Sequence, residues 1–450
     1  MSGSVTLLPT SSLIVQTWNN VLPVRGNIYQ VIADAAGGTK AASGAFGAVT
    51  FDADGALGAG AAVVNAAVLF DQATGQVIAT GLNGAGSTFA DLGASTNQRR
   101  AASALFGTAT GLVGPNQIKT TTAAGARALQ LITANGSSAT NLARFTPEFY
   151  GALADYAMGN DLTVTNLLHD RVSTLAKLPG EPADQYSLYS GVMRQQLNTA
   201  DQADIDRTDC YIGGDYAVSK ATTIGLLVNY NTGDFSATYG HGEVDGVEAD
   251  AYLKQSLNRD FDLVGRLGYG SYTNDLRRTT TDIRQALGET DSSVITGSLG
   301  VGYRGWTWGE FNLAPRADLT YSHASVDGFT ETGANDRLTL GSYDADRLIA
   351  QVGASVVWAT KLAGRDFSVE LNVGIEQSLL DSQQDQQATL VAAPDVRFSQ
   401  TFANDDSTRA AYGLNFGYSI CDHATIYAGY EGYASSNSTG NANAGLRVSF

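Results

Sequence analysis

The residues with the chemistry to bind or react are few, and their spacing is poor. Asp52, Asp54 and Gly55 have the opening of a calcium loop, but Val63 stands at the twelfth position, where a bidentate carboxylate is needed, so the run reads as a polar turn. His169, His241, His323 and His423 share no metal-ligand spacing. The run Gly55–Gly60 does not follow a strand and open a helix, so it is no phosphate cradle. No Gly-x-Ser-x-Gly turn offers a serine nucleophile. Cys210 and Cys421 make neither a disulfide framework nor a zinc site. The net charge of −17, with a pI near 4.5, argues against a nucleic-acid partner, whose phosphates need basic patches. The reading is of a chain without a catalytic site, cofactor or metal.

The elements are more informative. Of 450 residues, 16% are charged, well below the roughly 25% of soluble domains, while Gly (51), Tyr (20) and Phe (16) suggest many strands and turns. No run of about 18 apolar residues marks a membrane helix, and a membrane barrel needs none because its strands alternate. At the C-terminus, Ala442, Ala444, Leu446, Val448 and Phe450 alternate with Asn441, Asn443, Gly445, Arg447 and Ser449, so the two sets point to opposite faces of a strand. The same dyad runs through Ile224–Tyr230, Val247–Leu253, Phe311–Tyr321, Phe367–Ile375, Tyr412–Ile420 and Ile426–Tyr430. The apolar faces carry no charge. The polar faces carry Glu248, Asp250, Arg266, Arg316, Asp318, Glu370, Glu376, Glu431 and Arg447. A soluble sandwich would bury the apolar face; a membrane barrel turns it to lipid.

Connection lengths favour the barrel. Tight ones fall at Ser219–Thr222, Asn258–Phe261, Thr307–Glu310, Lys361–Asp366 and Ile420–Ala424. Long polar ones fall at Asn198–Asp206, Ser236–Gly246, Arg277–Asp291, Glu331–Asp346, Asp381–Ser407 and Ser435–Gly440. Short on one side and long on the other is the outer-membrane pattern, and the spacing predicts about twelve antiparallel strands across 184–450. Phe261, Trp306, Trp308, Phe311, Trp358, Phe367, Tyr418 and Phe450 gather at the short-turn ends, as an interfacial aromatic girdle would. On this topology Cys210 lies near the long-loop side and Cys421 in a short turn, too far apart for a disulfide.

Upstream, short β-rich runs at Leu13–Thr17, Ile28–Ala33, Val49–Phe51, Val63–Phe70 and Val77–Thr80 read as terminal rungs of a β-solenoid over 1–95. Helical signals fill 96–183. Thr96 can cap Asn97–Phe106, and Thr146 with Pro147 opens Glu148–Met158. Asp161–Lys177 carries one apolar stripe of Val164, Leu167, Leu168, Val172 and Leu175, and Pro179–Gly180 ends it. A helix of 17 residues reaches about 25 Å, the height of an apolar band, and it precedes the first strand directly. It is therefore expected inside the barrel, with Asp170 and Arg171 suited to a lumen of Arg266, Arg316, Asp318, Glu370 and Arg447.

The segment Phe311–Leu340, FNLAPRADLTYSHASVDGFTETGANDRLTL, and the terminal GLRVSF resemble the strands of the autotransporter (type V secretion) translocator family. Ile28–Val49 and Ala67–Thr80 resemble the last turns of that family's passenger β-helix, and Thr96, Asn97, Gln98 and Arg99 its closing helix. The resemblance implies a β-barrel that anchors in the bacterial outer membrane and exports its passenger. The alternative it leaves is a surface adhesin or structural protein using the barrel only as an anchor. It also implies partners: outer-membrane lipid, periplasmic chaperones, the barrel-assembly machinery and the chain's own passenger. Leu446, Val448 and Phe450 become the expected insertion signal. Some family members cut their passenger by an Asn amide attacking its own carbonyl. Asn160, Asp161 and Asn166 are weak candidates, since the family's paired-Asn motif is absent. Met1–Gln16 has neither a basic nor a sustained apolar stretch, so the sequence reads as lacking a secretory signal and as an N-terminally truncated fragment.

Overall fold

A strand with one apolar and one charged face needs two different surroundings, and a closed sheet supplies both. In a computed structural model of the chain, twelve long strands do this. They are β1 (Tyr186–Asn198), β2 (Asp204–Ala217), β3 (Thr222–Ala237), β4 (Gly240–Ser256), β5 (Phe261–Thr279), β6 (Gln285–Tyr303), β7 (Phe311–Val326), β8 (Tyr343–Leu362), β9 (Arg365–Asp381), β10 (Thr408–Cys421), β11 (Ala424–Ala434) and β12 (Thr439–Ser449). Each pairs antiparallel with its sequence neighbours, and β12 returns to pair with β1. The circle leaves no edge, so no ladder group faces lipid unpaired. Phe450 donates its backbone N–H to Tyr186 O at 2.9 Å and accepts from Tyr186 at 3.4 Å, so the two ends of the barrel meet.

The structure describes seven short strands between residues 6 and 82, then residues 95–109, 138–146, 148–159, 161–174, 186–199 and 203–450, except 282, 305, 335, 382–384, 403–407 and 435–438. Among the short strands, Thr6–Leu7 and Ser12–Gln16 pair in parallel with Ser43–Gly44 and Ala48–Asp52. Ile28–Gln30, Asn65–Asp71 and Gln76–Leu82 pair antiparallel.

The faces divide as the alternation predicts. Leu226, Leu267, Val352 and Val373 point outward, each more than 60% exposed, while Glu248, Asp250, Glu370 and Glu376 point inward and are 1–2% exposed. Outward apolar side chains of this number are stable only against lipid. The aromatic girdle forms at the turn end. Phe311 stacks on Trp358 with centroids 6.5 Å apart, Trp358 meets Phe367 edge-on at 6.3 Å, and Tyr303 lies between Phe261 and Trp306 at 4.9 and 5.3 Å.

The long connections are corrected. Ser236–Gly246 is not a loop, because β3 and β4 pair down to Ala237 and Gly240. Arg277–Asp291 is mostly strand, with β5 and β6 paired from Thr279 and Gln285. Glu331–Asp346 and Asp381–Ser407 contribute to a separate sheet of Phe329–Thr330, Leu338–Leu340, Asp385–Leu390 and Ala393–Thr401. The cause is length. β5 has 19 residues, about 65 Å of strand at 3.4 Å per residue. Tilted as barrel strands are, that stands roughly 50 Å tall against an apolar band of about 25 Å. Beyond the band the outward positions become charged, so the stretch loses its apolar face and looks like a loop. Cys210 is corrected too: it sits in the middle of β2, opposite Tyr230 and Val192, not near the loop end, and both cysteines are free.

The helices are α1 (Thr96–Ala109), α2 (Ser138–Phe145), a 3-10 turn Glu148–Gly151 leading into α3 (Ala152–Met158), and α4 (Asp161–Thr174). The cap of α1 is Ser95, not Thr96: Gln98 donates its backbone N–H to Ser95 Oγ at 3.2 Å. α4 stops at Thr174 rather than Lys177. The Asp170 and Arg171 side chains lie outside the described residues.

Candidate functional site

The site is the lumen and what fills it. At the loop end, the inner faces of the strands turn apolar. Phe235, Val244, Tyr272 and Leu276 join Leu338, Leu340, Leu390 and Phe398 of the separate sheet around Leu142, Phe145, Phe149, Tyr150 and Leu153. This is an ordinary packed core, closing the mouth over α2 and α3. One buried ion pair sits in it. Arg278, 0% exposed, donates Nε and Nη2 to the two oxygens of Glu331 at 2.8 and 2.7 Å, and Nη1 to the Arg144 carbonyl at the end of α2 at 2.6 Å. Tyr150 donates to Glu331 at 2.6 Å, and Tyr343 donates to the Tyr150 carbonyl at 2.6 Å. Nε, Nη1 and Nη2 of Arg278 each find an acceptor and both Glu331 oxygens find donors, which a dry pair requires.

Below the core, the chain turns at Gly159 into α4. The last carbonyls of α3 lack the N–H donors of a following turn, although Tyr156 O accepts from the Gly159 N–H at 3.2 Å. The wall supplies a donor to each. Arg207 of β2 donates to Tyr156 O at 3.0 Å, Tyr272 of β5 to Ala157 O at 3.4 Å, Arg347 of β8 to Met158 O, and Gln195 of β1 to Gly159 O at 2.8 Å. Two of the four are cations, which also suit the negative end of the helix dipole. The arginines are aimed beforehand by wall carboxylates. Arg207 donates Nε to Asp209 at 2.9 Å. Arg266 donates Nε to Asp250 at 2.7 Å and Nη2 to Glu248 at 2.6 Å, keeping Nη1 for the Asp161 carbonyl at 2.7 Å.

α4 runs through the lumen from Asp161, in the middle of the wall, towards the turn end, where β1 begins. Its two sides meet different walls. Asp161 accepts from Thr296 at 2.6 Å and from Ser322. Asn166 accepts from Arg316 at 2.6 Å and donates to Glu431 and Tyr433 at 3.3 and 3.4 Å. Val164, Leu167 and Leu168 lie against Tyr189, Tyr211 and Tyr252, with Tyr427 alongside.

Of the residues singled out by sequence, Asp161 and Asn166 are thus both in the lumen on one helix, held by hydrogen bonds to the wall, and Asn160 lies outside the described residues. Arg266, Asp318 and Glu370 are buried on the inner wall, with Arg316 and Arg447 half-buried there. Leu446 and Phe450 face outward, 39% and 64% exposed, and Val448 sits opposite Leu188 of β1. Arg207 and Asp209 were missed although the odd-numbered parity of β2 points them inward. Arg278 and Glu331 were missed because both fell within stretches read as loops.

A closed β-barrel whose pore is filled by a helix descending from its loop end defines a class of outer-membrane protein. A family model described as Autotransporter beta-domain matches residues 189–431, more than half of the chain, and the chain belongs to that family. The translocator domain of the autotransporter NalP from Neisseria meningitidis is similar with a TM-score of 0.53 and 14% identity, over 66% of this chain and 100% of that one. The β domain of the Bordetella autotransporter Brka (TM-score 0.45, 18% identity, 59% and 100% covered) and the transport unit of the autotransporter AIDA-I from Escherichia coli (0.40, 11%, 64% and 97%) also match. No curated protein sequence matches the chain. The family is one of translocator barrels of the bacterial outer membrane. In such barrels the short turns face the periplasm and the long loops the outside.

Proposed function

We propose that the barrel exports the chain N-terminal to it and displays that part on the cell surface. One observation carries the reading: α4 connects the periplasmic start of β1 to a cap packed in the outer mouth, so the chain before α3 leaves the pore on the outside. In this reading residues 1–95 are the end of a β-solenoid passenger, 96–183 the linker and 184–450 the barrel. Export is tested by giving the chain a secretory signal and an epitope tag ahead of Met1. Intact cells should bind antibody to the tag and lose it to added protease. A tag reached only after the outer membrane is broken would overturn the proposal.

We infer further that the passenger stays attached, as in a surface structural protein or adhesin. The Asn97 amide donates to Thr401 O at 2.8 Å and accepts from Thr401 N at 2.9 Å, and Arg100 donates to Thr401 Oγ1 at 2.6 Å. This pairing clamps α1 to the outermost strand of the cap. The Asn166 amide is likewise engaged at both ends. Tagged chain should stay with the cells at full length; a released fragment ending near 160 or 166 would contradict retention.

A further inference from the structure

The tyrosine side of the lower pore has a use beyond seating α4. We propose that Tyr189, Tyr211, Tyr252 and Tyr427 are the transit surface, the wall along which the outgoing chain slides before α4 arrives; this rests on the export reading above. The ligand is an extended polypeptide with few charges and small side chains.

Position is the first argument. Tyr189 and Tyr427 lie three residues from the periplasmic starts of β1 and β11, Tyr252 four from the end of β4, and Tyr211 six from the end of β2. All four stand in the half of the pore where a chain from the periplasm enters. Shape is the second. The hydroxyl end of each ring occupies the space of a glycine's missing β-carbon: Tyr189 at Gly213, Tyr211 at Gly191, Tyr252 at Gly225 and Tyr427 at Gly445. The far ends of the rings therefore reach the backbone of the neighbouring strands instead of the centre of the lumen. Their hydroxyls hold one another, Tyr189 to Tyr252 and Tyr211 to Tyr427, both at 2.9 Å. Tyr252 also donates to Asp215, and Tyr427 to the Ser190 carbonyl at 3.3 Å.

Chemistry is the third argument. Among its described side chains, α4 sets Val164, Leu167 and Leu168 against this wall, whereas its other side makes individually addressed polar contacts through Asp161 and Asn166. Contact between a ring face and a small apolar group is dispersive and does not depend on sequence, so any passing segment can make and break it. The facing wall offers Gln351, Ser355, Glu370 and Asn372, all buried and polar. The cargo matches the tyrosines better. Residues 1–145 carry seven basic and five acidic side chains and no cysteine.

The test uses the full chain with a secretory signal and benzoylphenylalanine placed at 211 or 252, or at 355 or 372 on the facing wall. Cells are pulse-labelled and irradiated during export. Positions 211 and 252 should crosslink to residues before Glu148 during transit and to α4 afterwards, about fivefold more than 355 and 372. A second arm compares Tyr211→Phe/Tyr252→Phe with Tyr211→Ser/Tyr252→Ser, scoring only heat-modifiable, assembled barrel. The phenylalanine pair should export at the parental rate and the serine pair about fivefold more slowly. Equal crosslinking on both walls overturns the proposal even where the serine pair assembles poorly, as does parental export by assembled serine barrels. If the unaltered chain never surfaces its tag, the export reading falls and takes this inference with it.

Discussion

In β4 and β5 the two halves of the strand reverse their chemistry. In the periplasmic half of β4, Val247, Ala249 and Leu253 face out while Glu248 and Asp250 face in. In its outer half Glu243 and Asp245 face out while Val244 faces in. β5 repeats the change, from Leu267 and Tyr269 outside with Arg266 inside, to Asp275 and Arg277 outside with Tyr272 and Leu276 inside. The backbone alternates identically throughout. What differs is the neighbour on each side: lipid outside and the single helix α4 inside below, water outside and a folded core inside above. On the export proposal the contents of the lower half change during transit, whereas the upper half is packed around one set of residues.

If that contrast holds, the upper half should be far less tolerant of substitution. Arg278→Ala leaves Glu331 buried without its partner and frees the Arg144 carbonyl, a loss of about 3–5 kcal/mol for a broken buried pair. Protease should then cut within residues 331–342 of otherwise assembled barrel, and the urea midpoint of the cap should fall. An unchanged cutting pattern would mean that the mouth is not a core. On the outer face of the lower half, Leu446→Arg sets a charge against lipid, costing about 1–4 kcal/mol by depth, and Phe450 deletion removes the closing hydrogen bonds to Tyr186. Both should lower the heat-modifiable outer-membrane fraction; normal levels would contradict the lipid-facing assignment.

How much of this was legible depended on which half a residue occupies. Below, one face was uniformly apolar, so the parity of Ile224–Tyr230 or Phe367–Ile375 gave strand, face and inward charge together. Above, Asp234 and Glu243 point outward into water, and period-two alternation no longer separates apolar from polar in the familiar sense. The stretches around Ser236–Gly246, Arg277–Asp291 and Glu331–Asp346 therefore read as loops, and the partners Arg278 and Glu331 vanished into the last two. Pairings across long sequence separation, such as Asn97 with Thr401, leave no periodic trace at all. The twelve strands, the girdle and the lumenal helix were legible; the cap was not.

Smaller effects sharpen the boundary between the halves. Asn97→Ala removes two hydrogen bonds from the edge of the cap, about 1–2 kcal/mol together, and should speed proteolysis of the hairpin Asp385–Thr401 while leaving the barrel intact. Cys210→Ser and Cys421→Ser should change nothing in assembly, since one cysteine is mid-strand and the other at a periplasmic turn, both free. An intramolecular Cys210–Cys421 bridge found by mass spectrometry would break the strand order itself.

The central claim is that α4 and the cap fill a pore that is otherwise open. Planar-bilayer conductance tests it most directly, comparing the 450-residue chain with one beginning at residue 181. The account expects a small conductance for the intact chain and a severalfold rise once α1 to α4 are gone. Equal conductance for the two would put the helix outside the lumen and contradict it.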